Sequence, residues 1–156
     1  RHTSWNCDWS SDVCSSDLMG KKLVVVGEGS EKKYLQSIAN KNITFLGYLS
    51  DKKLSRVFSK AKGLVYASIE EDFGMVPVES LSMGVPVIAF YSGGVKEVVN
   101  NKTGVFFKER TTHDVVSAIK KFEKKTFLKK DCVKRAANFS ESKFKKSILK
   151  VIGEKR

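Results

Sequence analysis

Short runs of apolar, largely β-branched residues recur along the chain, and most are followed by a turn and then by apolar positions at helical spacing. Leu23-Val24-Val25-Val26, Ile43-Thr44-Phe45-Leu46, Gly63-Leu64-Val65-Tyr66-Ala67, Val85-Pro86-Val87-Ile88-Ala89-Phe90 and Gly104-Val105-Phe106-Phe107 read as five buried strands. Between them, Tyr34, Leu35 and Ile38 mark one helix face, and Leu54, Val57 and Phe58 another, with Ser50 or Asp51 as its N-cap. A short helix, roughly Val76 to Met83, is expected before the fourth strand. Pro77 suits its first turn and Gly84 the left-handed residue after its last. From Thr112 three amphipathic helices follow, the first with Val115, Val116, Ile119 and Phe122 as its stripe. Phe139, Phe144, Ile148 and Ile152 mark the last, and Ser140 is its expected cap. Strands alternating with helices predict an α/β fold, a Rossmann-like doubly wound parallel sheet with helices at the C-terminal end.

In such a sheet, ligands bind where loops leave the carboxyl ends of the strands. Three loops there carry candidate chemistry. The richest is Glu71-Asp72-Phe73-Gly74-Met75-Val76-Pro77-Val78-Glu79, which begins as loop and ends as helix. A helix start offers unpaired N–H groups to an anion, phosphate above all. Glu79, expected in the first turn, fits either a ligand contact or simple compensation of the helix dipole. After the fourth strand, Gly93-Gly94 permits close backbone approach to a ligand, or makes a plain turn. After the first, Gly27-x-Gly29 suggests a dinucleotide turn, but Lys32 stands where the third glycine belongs.

A Glu, seven residues and a second Glu, with Phe-Gly after the first and Met-Gly-Val-Pro-Val-Ile-Ala after the second, resembles the nucleotide-sugar motif of retaining glycosyltransferases of family 4, GT-B fold. The resemblance runs on through Ser92-Gly93-Gly94-Val95-Lys96-Glu97 and Lys102-Thr103-Gly104-Val105-Phe106-Phe107, covering most of Leu23 to Ile152. It implies the C-terminal, donor-binding half of the fold. Glu71 would be catalytic and hold sugar hydroxyls, and Glu79 would grip the ribose diol. Backbone from Phe73 through Gly74, Met75 and Val76 would face the sugar or distal phosphate. Gly27, Gly93 and Gly94 would approach the donor, with Tyr48 and Leu49 as base-pocket candidates. Within the family the chain is most similar to bacterial mannosyltransferases of polysaccharide assembly, which implies GDP-mannose as donor substrate and no cofactor. An acceptor-binding domain before residue 19 is expected to be missing, so the isolated chain is expected not to turn over and to reach its glycan or lipid-linked acceptor only through that domain.

Composition narrows the classes. At 156 residues and 41% hydrophobic the chain can build one ordinary core, and no apolar run reaches the roughly 20 residues of a membrane span. Cys7, Cys14 and Cys132, with His2 and His113, show no metal-ligand spacing, so no metal site is expected. Residues 1–18, rich in Ser with two Trp, resemble the in-frame translation of a sequencing adapter and are expected to be a disordered, non-native scar, leaving 19–156 as the domain. The net charge of +12 is concentrated after residue 107, where 16 Lys or Arg face 6 Asp or Glu. That excess reads as a solvated face, with peripheral contact to the inner face of the cell membrane second, in an otherwise cytoplasmic protein. The alternative reading is a non-catalytic Rossmann-like module whose basic tail binds nucleic acid or anionic membrane. Against a nucleic-acid partner, Phe122, Phe127, Phe139 and Phe144 sit at spacings that suit core packing, not base stacking.

Overall fold

A computed structural model describes residues 19–69 and 72–153. The strands are β1 (Leu23–Val26), β2 (Ile43–Gly47), β3 (Leu64–Tyr66), β4 (Val87–Phe90) and β5 (Gly104–Phe107). The α-helices are α1 (Lys32–Ile38), α2 (Asp51–Phe58), α3 (Met75–Ser82), α4 (Val95–Val98), α5 (Thr112–Glu123), α6 (Lys129–Ala136) and α7 (Glu141–Gly153), with a 3-10 turn at Ala137–Phe139. All strand pairs are parallel. They form two ladders, β1-β2 and β3-β4-β5, where one continuous sheet was expected. The strands are short: β3 has three residues, and Val24 on β1 is 44% exposed.

β4 is the centre of the larger ladder, and period-2 alternation sends its side chains to opposite faces. Val87 and Ala89 join Tyr66, Leu81, Val95, Val98, Cys132 and Ala136 under α3, α4 and α6. Ile88 joins Val105, Phe107, Val115 and Ala118 under α5, with Phe90, Phe122 and Phe127 packed alongside. Helices therefore cover both faces, which is why β4 reads as a continuous apolar run. The smaller ladder has its own core of Val25, Leu35 and Ile43 beneath α1.

Three expectations about apolar stripes need correction. On α1 only Leu35 is buried; Tyr34 and Ile38 are exposed, because a two-stranded ladder offers one helix a narrow floor. Phe139 lies in the 3-10 turn and not in the last helix. Phe144, 65% exposed, is outside the core, as are Ile148 and Ile152, because no residue of α7 is buried.

Candidate functional site

Gly74 is the hinge on which the site is built. Its φ of 86° is left-handed, a conformation that glycine adopts without steric cost, and it serves as N-cap of α3. The turn swings the chain from loop into helix one residue earlier than the sequence suggests. Met75 and Val76 then carry first-turn N–H groups that no intrahelical carbonyl can reach, and buried Pro77 follows with no N–H to satisfy. At the far end Gly84, φ 80°, donates to the Leu81 carbonyl, and Val85 donates to that of Ser80. These two bonds are the paired closure of a helix ending in a left-handed glycine. Buried Ser80 adds a hydroxyl donation to the Val85 carbonyl at 3.0 Å. α3 is thus tied at its C-terminal end to the segment that leads into β4.

Because the helix starts at Met75, Glu79 stands in its second turn, not its first, and the first turn holds no acidic residue. Compensation of the dipole therefore explains Glu79 poorly, since that effect fades within a turn. The residue is half-buried on α3. Glu71 lies outside the described residues.

The loop after β4 is locked beneath the loop after β3. A Cβ on Gly94 would stand 2.3 Å from the Asp72 carbonyl oxygen and 2.7 Å from the Phe73 Cα, so only glycine fits there. Gly74 in turn lies against Val95, whose Cγ2 a Cβ would meet at 3.3 Å. The Ser92 hydroxyl donates to the Ile69 carbonyl at 2.7 Å. Phe73 and Met75 remain exposed above this junction, with Gly93 at φ 51° beside it. The fold therefore brings together Phe73, Gly74, Met75, Val76, Gly93 and Gly94.

Gly27, Tyr48 and Leu49 form a separate group at the carboxyl end of the smaller ladder. Gly27 donates to the Gly47 carbonyl at 2.8 Å, joining the two loops. Glu28 accepts from the Lys32 ammonium at 2.8 Å; that bond, with help from the Tyr48 N–H, holds its carboxyl below the usual range. Tyr48 is 82% exposed and Leu49 half-buried.

Sequence reasoning missed a cationic cluster at the same carboxyl edge as Gly93. The ammonium groups of Lys96 and Lys108 lie 5.5 and 5.8 Å from the centre of the Tyr91 ring, and Phe106 meets that ring edge-on. No signal for it stands in the sequence, because the pairing of β4 with β5 sets it. Phe90 pairs with Phe107, so the residues that follow, Tyr91 and Lys108, must be neighbours. Among the described residues no three His, Cys, Asp or Glu side chains group as a metal site.

The family model described as Glycosyl transferases group 1 matches residues 16–139. Human alpha-1,3/1,6-mannosyltransferase ALG2 is 33% identical over 99 residues, 64% of this chain and 24% of the relative. Among solved structures, the apo lipopolysaccharide outer core galactosyltransferase WaaB superposes with a TM-score of 0.80 at 15% identity, over 100% of this chain and 47% of its own. Anabaena Alr3699/HepE in complex with UDP and glucose gives 0.69 at 18% identity, over 92% and 44%. The chain spans about a quarter of the length of most curated relatives it matches, within a range of 14% to 34%.

Proposed function

The chain belongs to the group 1 glycosyl transferases, and from that premise we propose that it is the donor-binding part of a retaining family-4 hexosyltransferase that takes GDP-mannose. The observation that carries the reading is the junction at Gly94, which sets the glycine turn after β4 directly under the Asp72–Phe73 backbone at the start of α3. A nucleotide sugar presents a diphosphate, a ribose diol and a polar ring. The N–H groups of Met75 and Val76 suit phosphate, and they stabilise the negative charge that grows on the leaving diphosphate as the glycosidic bond breaks. A carboxylate accepts two hydroxyl hydrogen bonds at once, so Glu79 takes the ribose diol and Glu71 the sugar hydroxyls. Tyr48 and Leu49, beside Gly27, receive the base. Transfer then proceeds by same-face displacement, with a diphosphate oxygen helping to deprotonate a glycan or lipid-linked acceptor held by another domain. Mannose is favoured by the ALG2 similarity; the UDP and glucose of the HepE complex make UDP-glucose its direct competitor.

Calorimetric titration tests this. GDP-mannose and UDP-glucose are each titrated into the chain, and into Glu79→Ala. Saturable binding of GDP-mannose that tolerates salt, and weakens about tenfold or more in the variant, is the expected result. Binding of either donor that is indifferent to Glu79, or salt-steep capture of RNA in its place, would remove the assignment.

A further inference from the structure

Four contacts join the start of α3, the glycine turn, α6 and the 3-10 turn into a closed ring. Gly94, at the head of α4, lies against Asp72 and Phe73. At the tail of the same helix Arg135 donates through Nε to the Val98 carbonyl at 2.9 Å and through Nη2 to that of Glu97. The guanidinium also stands 5.2 Å from the centre of the Phe139 ring. Phe139 completes the circuit by meeting Phe73 edge-on, ring centres 5.7 Å apart and planes at 78°.

We propose that Arg135 and Phe139 are positioning residues for the donor loop, acting on it through Phe73 and through α4. The proposal rests on the donor-binding reading above. Phe73 is 44% exposed, yet its neighbours Asp72 and Gly74 lead into the start of α3, whose Met75 and Val76 N–H groups that reading assigns to the donor phosphate. One edge-on aromatic contact therefore decides where an otherwise open side chain, and the backbone behind it, come to rest. Arg135 supports that contact from below while satisfying two carbonyls that a four-residue helix leaves unpaired at its end. The planar fork matters here, since a lysine cannot serve two carbonyls and a ring face together. The strut joins positions 66 residues apart, so residues well beyond the donor motif hold the motif's shape.

The test compares Phe139→Leu, Phe139→Tyr and Arg135→Lys in the full chain. Amide chemical shifts of Phe73, Gly74 and Gly94 report the loop, and those of Ile88 and Val105 report the core. Phe139→Leu and Arg135→Lys should move the loop amides, leave the core amides in place, and weaken the donor that the parent binds, GDP-mannose or UDP-glucose, by about threefold to tenfold. Phe139→Tyr keeps the ring and should match the parent. The proposal is overturned if Phe139→Leu leaves the loop amides unmoved, if the core amides move as far as the loop, or if the tyrosine variant is as impaired as the leucine. Should the parent bind neither donor, that result counts against the donor reading alone, and the amide shifts still decide the strut.

Discussion

At the scale of single residues, two glycines that look alike in the sequence do different work. Gly94 has backbone within 2.3 Å of where a Cβ would sit, whereas Gly29 has nothing within 4 Å. Gly94→Ala must push the Asp72–Phe73 loop away, at a cost of about 1 to 3 kcal/mol by the usual penalty for overpacking. Gly29→Ala should stay within about 0.5 kcal/mol of the parent, since it adds a methyl to open space and removes unfolded-state freedom. Urea midpoints of the two variants measure the contrast. Equal midpoints would mean that the two loops do not rest on each other. Glu79 teaches a related lesson: its place in the motif could be read directly, but its place in the helix depended on Gly74 turning the chain one position sooner.

At the scale of elements, α5 shows how a helix start can be made pH-sensitive through a carboxylate. Thr111 caps it, its hydroxyl accepting from the Asp114 N–H, and the Asp114 carboxylate reaches back to accept from the N–H groups of Glu109 and Lys108 at 2.8 and 2.7 Å. Those bonds hold the Asp114 carboxyl below its ordinary range. A depressed carboxylate contributes stability that is fully present above the unfolded-state value and is lost as pH falls through the lower, folded one. Asp114→Asn should therefore destabilise the chain at pH 7, by about 1 kcal/mol on the scale of a lost cap. The gap between variant and parent should close in the acid range below the normal aspartate value. Chemical denaturation at several pH values checks this, and a gap that persists undiminished into that range would contradict the assignment.

At the scale of the whole molecule, charge and apolar exposure meet on α7. Its thirteen residues include four lysines and five large apolar side chains, none of them buried. Removing residues 141–156 should therefore change the stability of the chain by less than about 0.5 kcal/mol, because no residue of α7 is buried. A calorimetric scan of the shortened chain would show otherwise if α7 holds the fold together. Among the described residues no helix is long and apolar enough to cross a membrane. The smaller ladder is built equally thinly, with Val24, Leu46 and Tyr48 exposed.

The sequence by itself determined the strands, their parallel sense and the bounds of α3 to within a residue. Period, β-branching and glycine conformation act over a few residues, so these features are local. Only the tertiary structure decided that Gly94 lies beneath Asp72, that Lys96 and Lys108 converge on Tyr91, and that Phe139 leaves the last helix to brace Phe73. It also decided that Phe144 and Ile148 stay uncovered and that five strands divide into two ladders. Such outcomes depend on which surfaces find a partner across tens of residues, and the periodicity of an apolar stripe is the same whether or not anything packs against it.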